Sequence, residues 1–275
     1  MRPDQLSFNQ ATAKAAPTEA VLDACASQEI RHVALWRDNY VGGDVTRTAR
    51  AVHERDLSVS SLCRAGFFTN SGPQTVADED NRRAVDEAAA LGASSLVLVC
   101  GPVRAEGFRA AERQITDSIA RLAPHAEQAG VRLAIEPFHP MLAAERSAVV
   151  TLDQASDIVE AVNHPAVGIA IDSYHVWWDP RLESAMKRAR PYVVVAQLAD
   201  WLVPTTSLLT GRGLPGDGIA DLAGFLRLLD HGGFTGPVEI EVLNADVWET
   251  PLDALLLDIK QRIALLGRDL APCQP

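Results

Sequence analysis

A chain of 275 residues, 47% of them hydrophobic, can bury a large core and fits the length of a single α/β barrel. Its net charge of -11, with no dense run of Lys or Arg, excludes an extended nucleic-acid surface. Cys25, Cys63, Cys100 and Cys273 are scattered without a CxxC pair, which disfavours a structural zinc site and suits reduced thiols in the cytoplasm.

No stretch approaches the roughly 18 apolar residues of a membrane helix, and the first twenty residues hold no continuous apolar segment, so a soluble, cytoplasmic chain without a membrane partner is expected. Along the chain, short apolar runs rich in Val, Ile and Leu recur: "QLSFN" (5–9), "RHVALW" (31–36), "LSVSSLC" (57–63), "SSLVLVC" (94–100), "VRLAIE" (131–136), "VGIAID" (167–172), "YVVVAQ" (192–197) and "PVEIEV" (237–242). Each reads as a buried strand. Amphipathic segments such as "DEDNRRAVDEAAALG", "EGFRAAERQITDSIARLAPHAEQAG", "TLDQASDIVEAVN" and "PLDALLLDIKQRIALLG" lie between or after them, with Gly or Asn near several ends. Eight strand-helix units predict a (β/α)8 TIM barrel forming one domain over residues 1–275. An open doubly wound sheet would carry a Gly-rich phosphate loop after its first strand, and "LSFNQATAK" has no glycine.

In such a barrel the chemistry gathers at the carboxyl ends of the strands. Glu136 ends the fifth strand in "LAIEPFHP", Asp172 the sixth in "VGIAIDSYHVWWDP", Gln197 and Asp200 the seventh in "VVVAQLADW", and Glu241 the eighth in "GPVEIEVLN". Two-residue alternation points Glu239 and Glu241 inward, with Glu239 about 7 Å deeper and suited to a structural partner. Asp172 and Gln197 are likewise the last inward residues of their strands. Several carboxylates so close repel unless a cation neutralises them or some hold protons. The oxygen-rich set Glu136, Asp172, Gln197 and Glu241 suits Mn2+ or Mg2+; salt bridges to arginines in the barrel mouth are the structural alternative.

The series "IEP", "IDSYH", "QLAD" and "EIEV", with "GRGLPGDGIADLAGFLRLLDHGGFTGPVEIE" joining the last two, resembles the xylose-isomerase-like TIM-barrel family of sugar isomerases and epimerases, including tagatose and psicose 3-epimerases. The resemblance implies that Glu136 and Glu241 bind the metal and act as the acid/base pair, that Asp172 is a ligand, that His175 binds substrate and that Arg212 contacts substrate oxygens. Gln197 departs from the pattern, standing where the family has a metal-binding histidine. The implied chemistry is proton transfer through a metal-stabilised enediolate on a keto-sugar, giving isomerisation or epimerisation, or, with a β leaving group, elimination as in inosose dehydratases. A non-catalytic sugar-binding barrel is the further alternative. His139 in "EPFHPM", Trp36 after strand two and Arg64 after strand three are additional substrate-binding candidates, each weighed against packing or, for Arg37 and Arg64, a salt bridge. His32, His53, His125, His164 and His231 read as bystanders on helices or turns. A small sugar is the expected partner, and a homo-oligomer is compatible with the sequence.

Overall fold

The computed structural model describes residues 1–37 and 44–269; Cys273 lies outside them. In chain order the regular elements are β1 (Leu6–Asn9), α1 (Thr18–Ser27), β2 (His32–Trp36), α2 (Val45–Glu54), β3 (Ser58–Gly66), α3 (Gln74–Leu91), β4 (Ser95–Val99) and α4 (Phe108–Gln128). They continue with β5 (Arg132–Ile135), α5 (Leu152–Val162), β6 (Val167–Asp172), α6 (Ser173–Val176), α7 (Leu182–Ala189), β7 (Val193–Leu198), β8 (Asp200–Trp201), β9 (Arg212–Gly213), α8 (Leu222–His231), β10 (Val238–Ile240), α9 (Ala245–Trp248) and α10 (Leu252–Asp269). Eight parallel strands close in the order β1-β10-β7-β6-β5-β4-β3-β2, the (β/α)8 barrel expected from the sequence.

All eight sequence runs are barrel strands. Alternation within β6 shows why: Val167, Ile169 and Ile171 face outward into the layer between strands and helices, while Ala170 joins Cys63, Val97, Ala134 and Val195 inside the barrel. The small inner residues leave room above them, where Asp172 ends the strand. Helix ends follow local chemistry. Thr151 Oγ1 accepts from Gln154 N at 3.1 Å to start α5, and Asn163 closes it at φ 47°, a left-handed cap that Asn tolerates. Gly92 closes α3 at φ 70° for the same reason.

The fold-back after β7 was not legible beforehand, and His32, read as a bystander on a helix or turn, instead lies within the strand run 31–36. The antiparallel pair β8–β9 folds the segment after β7 back over the barrel mouth, pairing Trp201 with Arg212. His32 opens β2 at the opposite end of the barrel, its Nδ1 2.6 Å from Ser58 Oγ, rather than lying on a helix or turn. No helix among the described residues is long and apolar enough to cross a membrane.

Candidate active site

Strand register builds the site. β10 pairs with β7 so that Glu239 lies beside Gln197, and β6 pairs with β7 so that Asp172 lies beside Gln197. Glu136 and Glu241 each fall one residue past their strand, yet their backbone N–H groups still donate along the sheet, to Leu98 O at 3.2 Å and Leu198 O at 3.3 Å. Glu136, Asp172, His175, Gln197, Arg212 and Glu241 are all buried.

At the centre is Arg212. Its Nη1 donates to Asp172 Oδ2 and to Glu241 Oε2, both at 2.7 Å, and its guanidinium lies 4.7 Å from the Tyr174 ring centroid. Asp172 uses its other oxygen to accept from Tyr174 N at 2.9 Å, which starts α6 and presents His175 one residue later. The hairpin delivering Arg212 is held by buried Asp200, which accepts from Trp201 N at 2.8 Å, Gly216 N at 3.0 Å and Ala220 N at 3.0 Å. Asp200 is thus a backbone anchor that opens β8, two residues past β7, not a member of the central cluster.

Electrostatics follow from burial. Desolvation pushes the Glu136 carboxyl well above its usual range, and the neighbouring charges of Glu241 and Asp172 add to the shift. Burial also raises Glu241, to about 7, with the Arg212 cation restraining the rise. Asp172 rises for the same reason and is restrained by the same cation. His175 is held well below the usual histidine range by burial and by Arg212, so its ring is neutral near pH 7. Its Nδ1 accepts the His139 backbone N–H at 3.2 Å, which assigns the remaining ring proton to Nε2. That Nε2 faces Glu136 Oε1 at 3.7 Å and Asp172 Oδ2 at 3.9 Å.

Donor atoms from Glu136, Asp172 and His175 lie within 4.8 Å of one another, close enough to hold a metal ion. Beside them, Gln197 Nε2 donates to Glu239 Oε2 at 3.1 Å and Glu241 Oε1 at 3.3 Å, while its buried Oε1 has no partner. An orphaned amide oxygen among carboxylates is an unmet demand for a cation or donor. The residues therefore fit a hard divalent ion.

A cavity of about 140 Å³ opens over the cluster, with Glu136, Glu241, Arg212, Trp36, Cys63, Arg64 and Arg146 among its lining residues. Trp36 Nε1 donates to Asn9 Oδ1 at 2.9 Å, fixing its ring at the wall, and Arg64 lies 5.6 Å from that ring and 5.0 Å from Phe67. Arg37 is instead tied to Glu87 and Asp80, the salt-bridge alternative considered for it. The His139 ring stacks 4.8 Å from Trp201 outside the cavity lining, so its contribution to the site runs through its backbone.

Asn9 is a site residue that sequence reasoning missed. Its Nδ2 donates to Glu239 Oε2 and Glu241 Oε1, both at 3.2 Å. It is the terminal residue of β1, so the strand-end rule that found Gln197 applies to it equally. Tyr174 and the loop cations Lys14 and Arg146 were missed too; no periodicity marks a loop residue.

Parallel barrel, strand-end carboxylates and the strap carrying Arg212 together define a class of barrel whose site is built on the fifth to eighth strands. The chain belongs to the xylose isomerase-like TIM barrel family, which it matches over residues 22–261. It is 42% identical to a protein of Sinorhizobium meliloti 1021 whose solved structure superposes with a TM-score of 0.91, over 96% of this chain and 99% of that one. Ketose 3-epimerase of Arthrobacter globiformis is 26% identical over 232 residues, 78% of this chain and 73% of the relative. 3-Dehydroshikimate dehydratase of Pseudomonas putida is 32% identical over 158 residues, 55% of this chain, and the match spans only 24% of that longer relative.

Proposed function

We propose that this chain is a divalent-metal-dependent isomerase or epimerase that moves a proton at a carbon beside the carbonyl of a small polyhydroxylated molecule. The observation that carries this reading is the placement of two buried carboxyl groups, Glu136 after β5 and Glu241 after β10, in the lining of one small cavity. Two strands, β7 and β6, separate β10 from β5 around the barrel, so the pair approaches the cavity from different walls.

Glu241, paired with Arg212, takes the proton from carbon; the C–H electron pair forms the carbon–carbon double bond and the carbonyl π pair moves onto oxygen. Glu136, on the other wall of the same cavity, returns a proton from its side. The Nε2–H of His175 and the Arg212 guanidinium donate to substrate oxygens and orient them. Glu136, Asp172, Glu241 and the Oε1 of Gln197 would hold the ion. When bound, a divalent cation such as Mn2+ or Mg2+ polarises the carbonyl and stabilises the charge developing on its oxygen.

Loss of water after the same proton removal is a second reading, supported by the similarity to the dehydroshikimate dehydratase. Liquid chromatography coupled to mass spectrometry separates the two. The full chain is incubated with Mn2+ and either D-fructose, D-psicose or 3-dehydroshikimate; an isomeric product of unchanged mass supports the first reading, and a product lighter by one water supports the second. Unchanged substrate throughout the panel, with binding retained, would instead favour a sugar-binding barrel.

A further inference from the structure

We propose that the substrate of this site carries an anionic group, a carboxylate or a phosphate, which Arg146 binds at the cavity together with Lys14. The proposal rests on the functional reading above and narrows its substrate class. Arg146 lines the same cavity as Glu136 and Glu241. Among the described residues its side chain has no hydrogen-bond or ion-pair partner, and its Nε is buried without one.

Arg146 differs from the cavity's buried arginine, Arg212, in holding no carboxylate among the described residues. Arg37, Arg188 and Arg262 each hold two or more acids. A guanidinium N–H withdrawn from water and left unpaired costs free energy, which a ligand oxygen would recover. The turn carrying Arg146 is also fixed before any ligand arrives. Arg146 N donates to Leu142 O at 2.8 Å, Val103 N to Ala143 O at 2.8 Å and Ala148 N to Gly101 O at 2.7 Å.

Lys14, which also lines the cavity, has its ammonium 5.3 Å from the Trp248 ring and no carboxylate partner among the described residues. Val99, Phe138, Leu209 and Leu243 contribute apolar lining to the same cavity, which strengthens any charge pairing there. Arg146, Lys14 and the two glutamates line one cavity of about 140 Å³, so a molecule filling it is placed to meet both the cations and the carboxyl groups.

Two matched pairs of probes test this by calorimetric titration of the full chain: D-fructose 6-phosphate against D-fructose, and 3-dehydroshikimate against its methyl ester. The anionic member of at least one pair should bind about tenfold or more tighter than its neutral partner, as charge-assisted hydrogen bonds allow. Whichever pair shows the preference identifies phosphate or carboxylate. Arg146→Gln should reduce that preference about tenfold, and Arg146→Lys, which retains a charge, should keep most of it. Equal binding within both pairs, or a preference unchanged in Arg146→Gln, would overturn the proposal while leaving proton transfer on neutral ketoses intact. An Arg146-dependent anion preference without turnover of any probe would support the anion subsite and contradict the functional reading instead.

Discussion

Arg212 and Asp172 form a fully buried ion pair, Nη1 to Oδ2 at 2.7 Å, in the middle of four carboxyl groups. The guanidinium thus supplies positive charge in the same cluster that would hold a metal ion. Replacing it leaves Asp172 and Glu241 buried without their shared partner, a loss of about 3–5 kcal/mol for pairs of this kind. Arg212→Gln should therefore lower the melting temperature of the metal-free protein, and added Mn2+ should raise it more in the variant than in the wild type. Equal Mn2+ effects in both proteins would show that the ion does not relieve the same charge.

The carboxyl shifts have a definite sign. Glu241 has an ordinary value of 4.5 and is pushed to about 7 in the fold. Across that window the unfolded chain has released a proton that the folded chain keeps, so this group's contribution is fully present below about pH 4.5 and is lost as pH rises through about 7. Glu136, Asp172 and Glu239 shift in the same direction. Melting temperature without metal should fall from about pH 5 to about pH 8, and Glu241→Gln should flatten the slope. A slope as steep in the variant would assign the titration elsewhere.

Glu239 should separate from Glu241 in its effects. It accepts from Ser60 Oγ at 2.8 Å, Gln197 Nε2 at 3.1 Å and Asn9 Nδ2 at 3.2 Å, so its oxygens are occupied by the barrel's own donors. Glu239→Gln turns one accepting oxygen into a donor facing donors, at a cost of about 1–3 kcal/mol. Denaturant unfolding should register that loss, while turnover per folded molecule falls far less than in Glu241→Gln. Comparable losses of turnover in the two variants would place Glu239 in the chemistry.

Gln197→His replaces an amide oxygen by a ring nitrogen, a donor that suits Zn2+ better than Mg2+. Isothermal titration should show Zn2+ binding tightened more than Mn2+ or Mg2+ binding. In the wild type a chelator should remove metal readily, since a neutral amide is a weak ligand, and Mn2+ or Mg2+ should restore it. Unchanged Zn2+ affinity would mean that Gln197 only braces Glu239 and Glu241.

The barrel was legible because each strand is a run of mostly apolar residues, and from the fifth strand to the eighth the inward set ends in a polar one; Asp172, Gln197, Glu239 and Glu241 all followed from alternation. Asn9 obeys the same rule and was passed over because an amide at the end of "LSFN" carries no charge to explain. Arg212 depended on a family resemblance, since its position comes from two-residue strands too short to leave a periodic signature. The tautomer of His175 was beyond sequence altogether: it is set by a backbone N–H from His139, which no side-chain pattern encodes.

The most direct measurement is solvent deuterium incorporation. The full chain with Mn2+ is incubated in deuterated water with D-fructose, D-psicose and 3-dehydroshikimate, and the carbons beside the carbonyl are examined by NMR. At least one substrate should gain deuterium at a single such carbon in the wild type, and the exchange should disappear in both Glu136→Gln and Glu241→Gln while Mn2+ binding is weakened rather than abolished, because the amide oxygen still coordinates. Exchange persisting at the wild-type rate in either variant would contradict the assignment of the two glutamates as the proton-moving pair.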